Sequence, residues 1–574
     1  MDASVSIPGE SDVEAPPQLD RLFHAALAKA TLGISPASLA LAWADWALHL
    51  AMSPGKQQAL ADKAVRKELR LLRSLFDPHG APCIEPLEDD KRFRDPAWQQ
   101  WPFKLVCQAF LLNQQWWQRA TTGIGGVAPH HEHVVSFAAR QLLDMLAPVN
   151  FIATNPQLLQ ATVRSGGANL ARGAANWLED SARSLAGKPP AGTEAYVPGH
   201  DVAITPGSVV FRNHLIELIQ YTPQTPKVHA EPVLIVPAWI MKYYILDLSP
   251  LNSLVRFLVA RGHTVFIISW RNPDATDSAL GMDDYLQQGA LAALDEVSAR
   301  VQGKQVHGVG YCLGGTLLSI AAAALARNKD TRLGSLTLLA AQTDFREAGE
   351  LMLFIDDSQL DYLDGLMWRQ GFLDNRQMAG AFQLLRSNDL VWSSMVRQYL
   401  MGERTPMTDM AAWNADATRL PYRMHSAYLR QFFLRNDVYE GRYQVDGKAI
   451  ALGDIRVPLF VVGTERDHIS PWRSVYKVNA IVNGEVDFVL TSGGHNAGIV
   501  SDPDYAHAHY RMARHGAGQG QRDPDEWYLA NAPHDGSWWL PWADWLAAHS
   551  SGMVAPRKPG AGLGPAPGTY VLQR

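Results

Sequence analysis

The chain is poor in cysteine. Its 574 residues hold only Cys83, Cys107 and Cys312, an odd number spaced far apart, which excludes a fully paired disulfide framework and fits a reducing compartment. A basic excess is also missing. Lys and Arg number 51 against 57 Asp and Glu, for a net charge of −6, so nothing is left over to neutralise a phosphate backbone and no nucleic-acid partner is expected. Nor is there a long apolar run. The longest lies around Leu317 to Ala326, well short of the ~20 residues that span a bilayer. Met1 to Pro17 is acidic and polar, without the basic-then-apolar order of an export signal. A cytoplasmic chain with no transmembrane segment is the expectation, and 18 Trp leave room for loose attachment to an apolar surface. No internal repeat is visible.

What is present is a globular balance, 47% hydrophobic and 19% charged, in a chain too long for one ordinary domain. The first third reads as helical: Leu19, Leu22, Phe23, Ala26, Leu27 and Ala30 recur at helical spacing, as do patterns over 39–52, 106–117 and 134–145. From about Pro232 the texture changes. Short apolar runs at 233–236, 264–268, 305–309, 336–340, 459–462 and 487–490 read as strands, with helical stretches at 251–260, 282–301 and 316–326 between them. Apolar strands alternating with helices predict a parallel sheet covered on both faces. Between about 345 and 454 the alternation stops, and an insertion of that size inside an α/β domain predicts a cap. The expected organisation is α/β: an all-helical N-terminal domain over 1–195, an α/β-hydrolase domain with inserted cap over 196–552, and a Pro/Gly-rich tail over 553–574. Its composition predicts little structure for that tail.

The sharpest motif is Gly308-Val-Gly-Tyr-Cys312-Leu-Gly-Gly315, placed after a strand and before a helix. It has the form Gly-x-Cys-x-Gly, a nucleophile elbow with cysteine in the serine position. Gly310 and Gly314 fall where the chain doubles back and a side chain would collide. The helix that follows aims its free N–H groups at Cys312, which favours thiolate and makes Leu313 N–H an oxyanion donor. Taken alone the motif is no better than even against a buried structural cysteine. A dinucleotide loop is a weaker alternative, because Leu313 stands where the third glycine belongs.

Its partners raise the odds. Asp467 follows the 459–462 strand in Gly463-Thr-Glu-Arg-Asp467-His468, and His495 follows the 487–490 strand in Ser492-Gly-Gly-His495. Nucleophile, acid, then histidine, each after a late strand, is the order of this fold. Asp467 alone reads as a turn residue and His495 alone as a loop histidine; together behind the elbow they read as a triad. His495 would take the thiol proton and Asp467 would hold the imidazole tautomer. His468 has two readings, a residue supporting the site or a satisfied structural histidine. His130, His131 and His133 lack a matching ligand pair, so a solvated helix start is preferred to a metal site. Trp538 and Trp539 read as core.

At these residues the chain resembles the polyhydroxyalkanoate synthases, the poly(3-hydroxybutyrate) polymerases, over about 85–545. Besides Gly310-Tyr-Cys-Leu-Gly-Gly315, the likeness is carried by Lys242-Tyr-Tyr-Ile-Leu-Asp-Leu248, Gly262-His-Thr-Val-Phe266 and Ser269-Trp-Arg-Asn-Pro-Asp274. Asn388-Asp-Leu-Val-Trp392, Trp413-Asn-Ala-Asp416 and Gly536-Ser-Trp-Trp539 add to it. The resemblance implies a Cys312–Asp467–His495 triad, (R)-3-hydroxyacyl-CoA substrates, CoA release, a growing polyester, a homodimer, and residence on cytoplasmic polymer granules with granule-associated proteins. It implies the single-subunit type and no cofactor. Three positions depart from the family pattern: Met241 stands where Asn is usual before Lys242, Asn496 where Ile follows the histidine, and Asp535 where a second histidine is frequent. Met241 lies on the loop expected to supply the second oxyanion amide, at Ile240. The alternative reading is a Cys-dependent thioesterase or intracellular polymer depolymerase on the same scaffold; a granule-surface binder without activity is the rival from another class. Catalysis is expected wholly within about 200–545, with the helical third serving stability, dimerisation or granule attachment.

Overall fold

A computed structural model describes residues 18–574 except 32, 77–80, 88–89, 375–376, 379, 381–390, 506, 518–521 and 561. Asn388, Asp389 and Leu390 of the family motif at 388–392, and the acidic start 1–17, lie outside the described residues. The N-terminal third is a set of helices: α1 (Gln18–Ala30), α2 (Pro36–Ala51), α3 (Pro54–Phe76), α4 (Phe103–Ala120), α5 (Pro129–Met145), α6 (Pro156–Arg164) and α7 (Ala168–Leu185). Local chemistry sets their starts. Ser35 caps α2 by accepting from Ser38 N, with Pro36 in the first turn, and Asn155 caps α6 ahead of Pro156 in the same way. The helix start at Pro129 is found, but two of its three histidines are paired rather than merely solvated. His131 donates to Asp45 at 2.6 Å and His130 stands 3.5 Å from Asp356.

The centre is a ten-stranded sheet. Its strands are β1 (Gly207–Arg212), β2 (Ile216–Tyr221), β3 (Val233–Val236), β4 (Val265–Trp270), β5 (Val306–Tyr311), β6 (Leu333–Leu339), β7 (Leu459–Thr464), β8 (Val486–Thr491), β9 (His509–His515) and β10 (His534–Asp535). In space the order is β1-β2-β4-β3-β5-β6-β7-β8-β9-β10. The run from β4 to β8 is parallel throughout, and antiparallel strands close both flanks. The strands β3, β4, β5, β7 and β8 are buried along their whole length, as parallel strands covered on both faces must be, and so is the antiparallel β2. The covering helices include α8 (Leu254–Ala260), α9 (Ala292–Val301) and α10 (Leu313–Arg327).

Between β6 and β7 lies the inserted segment. It contains α11 (Asp357–Gln370), a short antiparallel pair of 372–373 with 420–421, and α12 (Tyr422–Tyr428) running on into a wider-wound turn, Leu429–Leu434. The N-terminal helices pack on this segment. Ala28 of α1 is buried against Tyr362 and Leu366, Gln359 Oε1 accepts from Ser35 N, and Asn169 of α7 donates to Leu400 O.

Composition misleads at the tail. Instead of lying loose, 553–554 pairs with 228–229, and Val209 exchanges hydrogen bonds with Leu563 and Gly564 at 2.7 and 2.9 Å. Pro and Gly lower helix and strand propensity, but each residue still carries a carbonyl, and all except Pro an N–H, that the β1–β2 edge can satisfy. The core reading of the tryptophans holds and carries more than packing. Trp538 and Trp539, ahead of and opening the helix α13 (Trp539–Ala548), are fully buried, and their indole N–H groups donate to the carbonyls of Gly498 and Ile499 at 2.9 Å. Those carbonyls belong to the turn just after His495. Trp538→Phe keeps an aromatic ring there but removes the donor, so stability should fall by about 1–3 kcal/mol. Denaturant unfolding measures it; a loss below about 0.5 kcal/mol would show that the indole N–H contributes nothing.

Candidate active site

Four chain segments converge where β3, β5, β7 and β8 end. Cys312 is the turn between β5 and α10, with φ 52° and ψ −125°, a left-handed conformation that costs a non-glycine residue about 1–3 kcal/mol. Its neighbours enforce it. A Cβ on Gly310 would stand 2.3 Å from Gly315 Cα, and one on Gly314 would stand 2.2 Å from Val236 O. The strand, the helix and the end of β3 are thus in backbone contact, and only glycine fits at both positions. Cys312 N donates to Leu339 O at 2.8 Å, which ties the turn to β6. Leu313 opens the helix, so its N–H has no intrahelical acceptor.

His495 lies in the loop after β8 and Asp467 in the loop after β7. His495 Nδ1 donates to Asp467 Oδ2 at 2.7 Å. Asp467 is held on both oxygens: Oδ1 accepts from Ile469 N and Ser470 N at 2.8 Å each, and Oδ2 also accepts from Thr464 Oγ1 at 3.2 Å. Burial works against charge on the imidazole, yet the Asp467 and Cys312 charges and hydrogen bonds to both residues hold His495 well above the ordinary histidine value. Burial likewise opposes the Asp467 carboxylate, and His495 with the two loop amides brings it below the ordinary carboxylate value. With Nδ1 committed to Asp467, Nε2 is the nitrogen left for the Cys312 thiol. Cys312, Asp467 and His495 are only 9%, 8% and 7% exposed, so water has little access to any of them.

Of the other residues singled out in the sequence, Ile240 and His468 lie on loops of this centre, while Asp535 and Cys107 do not. Ile240 is on the loop after β3, half-buried, its carbonyl accepting from Thr418 N at 3.5 Å. His468 is half-buried beside Asp467, its carbonyl where a Cβ on Gly349 would stand at 2.7 Å. Asp535 is exposed on β10. Cys107 packs with Phe93, Trp98 and Leu111 in the helical third, where burial pushes its thiol up to about 12, so it is inert. Among the described residues no cluster of His, Cys, Asp or Glu could hold a metal ion, and no helix is long and apolar enough to cross a membrane.

Two features escape motif reading. Tyr311, one residue before Cys312, donates its hydroxyl to Asn496 Oδ1 at 2.6 Å, and its ring lies 5.6 Å from the His495 ring. Asn496 therefore has a partner on β5, the strand that leads into Cys312. Tyr428 of α12 comes from the insertion: burial and the nearby charge of Cys312 drive its phenol far above the ordinary tyrosine value. It sits in an aromatic cluster with Phe345, Phe432 and Phe433, with ring centres 4.9–6.4 Å apart. Its Tyr-Leu-Arg context contains no pattern that announces a site.

The Asp467–His495 shifts give a signed pH dependence. Asp467, lowered from 3.8, stabilises the fold above about pH 4, and that contribution is lost as pH falls through the lowered value. His495, raised from 6.5, stabilises it fully below about pH 6.5, and that contribution is lost as pH rises through the raised value. Asp467→Asn should therefore lose most thermal stability, relative to the unaltered protein, between about pH 4 and 6.5, with the gap narrowing on either side. A gap independent of pH would mean that the two groups are not an ion pair.

Comparison with known sequences agrees with this frame. The family profile described as poly-beta-hydroxybutyrate polymerase N-terminus matches residues 89–258, and a second, poly-beta-hydroxybutyrate polymerase N terminal, matches 14–56. The alpha/beta hydrolase fold profile matches 231–502. The poly(3-hydroxyalkanoate) polymerase of Methylorubrum extorquens is 40% identical over 501 residues, covering 86% of this chain and 82% of its own. The poly(3-hydroxyalkanoate) polymerase subunit PhaC of Cupriavidus necator is 36% identical over 504 residues, covering 86% and 84%. Among solved structures, a monoacylglycerol lipase of Paleococcus ferrophilus is 12% identical, covers 58% of this chain and 99% of its own, and has a TM-score of 0.32. An α/β-hydrolase sheet behind a helical N-terminal region, joined to this degree of identity over most of the sequence, places the chain in the poly(3-hydroxyalkanoate) polymerase family, enzymes of acyltransferase type.

Proposed function

We propose that the protein polymerises (R)-3-hydroxyacyl-CoA through a covalent Cys312 thioester with release of CoA. The observation that carries this reading is the meeting of Cys312, His495 and Asp467 at the carboxyl edge of the sheet beneath the aromatic cap. In the first step the Cys312 sulfur attacks the thioester carbonyl, the carbon–sulfur bond to CoA breaks, and the departing thiolate leaves as CoA-SH with a proton from His495. The developing oxyanion is met by the N–H of Leu313 and, from the loop after β3, that of Ile240. One thioester replaces another, so the acyl-enzyme keeps its reactivity. In the second step a 3-hydroxyl loses its proton to His495 and attacks the acyl-Cys312 carbonyl, and the Cys312 thiolate leaves as the ester forms. Asp467 holds the tautomer throughout, and His468 supports that loop.

Transfer to an alcohol competes with water. The low exposure of the triad and the Phe345, Tyr428, Phe432 and Phe433 cluster favour the alcohol. A CoA thioester reaches so enclosed a thiol only once the cap shifts. From the family follow the remaining expectations: a homodimer, cytoplasmic, at the surface of polymer granules with granule-associated proteins.

Purified protein given (R)-3-hydroxybutyryl-CoA should release thiol and form insoluble polymer. Thiol release with free acid would make it a hydrolase, and no release would make it a binder. Cys312→Ala should stay folded and release no thiol, while replacing Cys83 or Cys107 should leave turnover intact. Asp467→Asn should slow acylation and chain transfer alike, because the wrong imidazole tautomer harms both proton transfers. Rapid mixing followed by intact-protein mass measurement reads this. A full first-turnover burst of acyl-enzyme without polymer would instead assign Asp467 to activation of the incoming hydroxyl.

A further inference from the structure

The loop after β3 ends in a buried cation, Lys242, that has no part in the proposed chemistry. Lys242 is 3% exposed. Its Nζ donates to the carbonyl of Gln573 at 2.5 Å, and its own carbonyl accepts from Trp413 Nε1 at 2.7 Å. Gln573 also accepts from Asn272 N through Oε1 at 3.2 Å, and Asn272 Oδ1 accepts from Arg419 N at 2.9 Å. Arg419 closes the ring by donating to the Arg574 carbonyl at 2.8 Å. The far end of this segment is anchored as firmly. Glu217, wholly buried in β2, accepts from Thr569 N, Thr569 Oγ1 and Tyr570 N at 2.8–2.9 Å.

The loop 237–242 is thereby gripped from two sides. On the cap side, Thr418 Oγ1 donates to Trp239 O at 2.6 Å, and Met241 bridges Ala417. On the tail side there is Lys242. At its start the loop lies against the nucleophile turn, where Gly314 meets Val236 and Pro237. We infer that residues 569–574 act as a strap on the active site, with Lys242 as the positioning residue through which they hold the 237–242 loop in register with the cap. A buried ammonium that loses its acceptor keeps its desolvation penalty, so without the strap Lys242 turns toward water and draws the loop with it. Burial holds Lys242 down to about 8, with Asp416 the opposing charge nearby. The catalytic consequence rests on the reading of the loop as oxyanion donor.

The test uses Lys242→Met, Lys242→Arg and a chain stopped after Leu572, in the otherwise full protein. Three measurements are made: the rate of the first burst of CoA release, amide exchange over 237–246, and the thermal midpoint. For Lys242→Met and the shortened chain, the midpoint should move only a few degrees, exchange should rise, and the burst should slow roughly 10- to 100-fold, less than or equal to loss of an oxyanion donor. Its half-saturating substrate concentration should stay within about twofold. Lys242→Arg should recover part of the rate, and the double variant should be no slower than the worse single one, as expected of one element. Faster exchange with an unchanged burst would retain the strap and overturn the oxyanion role of the loop. A slow burst with unchanged exchange, or no change in either, would overturn the strap itself. Should Lys242→Met fail to fold, the shortened chain decides alone.

Discussion

The whole site depends on one steric constraint, the backbone-to-backbone packing of β5, the start of α10 and the end of β3. A side chain at Gly310 or Gly314 would occupy space already held by Gly315, Val236 and Pro237. Because these backbones touch, Cys312 is forced into its left-handed turn, and the thiol is lifted to the sheet's carboxyl edge with a helix N-terminus behind it. The same contact sets the distance from the thiol to the 237–242 loop. The start of that loop and the Cys312 turn are therefore held against each other.

A second layer of constraint supplies the electrostatics. Asp467 is buried, which alone would drive it toward neutrality, yet two loop amides, Thr464 and His495 surround it with donors. Satisfied in this way, it can stay charged in a site that excludes water and fix the imidazole with Nδ1 inward. The loop carrying His495 is in turn fixed from below by Trp538 and Trp539, whose indoles reach the carbonyls of Gly498 and Ile499. Core packing and catalytic geometry are therefore the same contacts seen from two sides.

The parallel half of the sheet was plain in the sequence. All six expected strands are present, because strands buried on both faces must be continuously apolar and short, and each is bounded by turn residues. The meeting of Asp467 and His495 beside Cys312 was legible for a related reason: each of the three follows one of those strands, so order along the chain translates directly into proximity. The β1–β2 hairpin and β9 were not legible. Glu217 and Gln220 interrupt the apolar rhythm of β2, and β9 carries His509, Arg511, Arg514 and His515. Both are antiparallel flanking strands whose polar side chains find partners distant in sequence: Glu217 in the tail, Arg511 at Asn531, and Arg514 at Asp487 on β8. The tail failed for the same reason. Its order comes from buried Glu217 and Lys242, more than 300 residues away in sequence from Thr569 and Gln573, and no local pattern can announce such a partner.

Asn496 and Met241, the two departures nearest Cys312, are best understood as changes in how the frame is braced. Asn496 replaces a usual apolar residue, yet its amide oxygen accepts the buried hydroxyl of Tyr311. Tyr311 is the last residue of β5 and Asn496 the neighbour of His495, so this bond is a polar tie between the two segments. Met241 removes a polar side chain from the loop after β3, but its backbone bridges Ala417 while Lys242 carries the bond to Gln573. In both places a side-chain change is offset by a hydrogen bond that leaves backbone position, and hence the direction of the thiol and of the loop amides, in other hands. At both places the frame is held by more than one contact. The glycines of the elbow, held by sterics alone, have no such latitude.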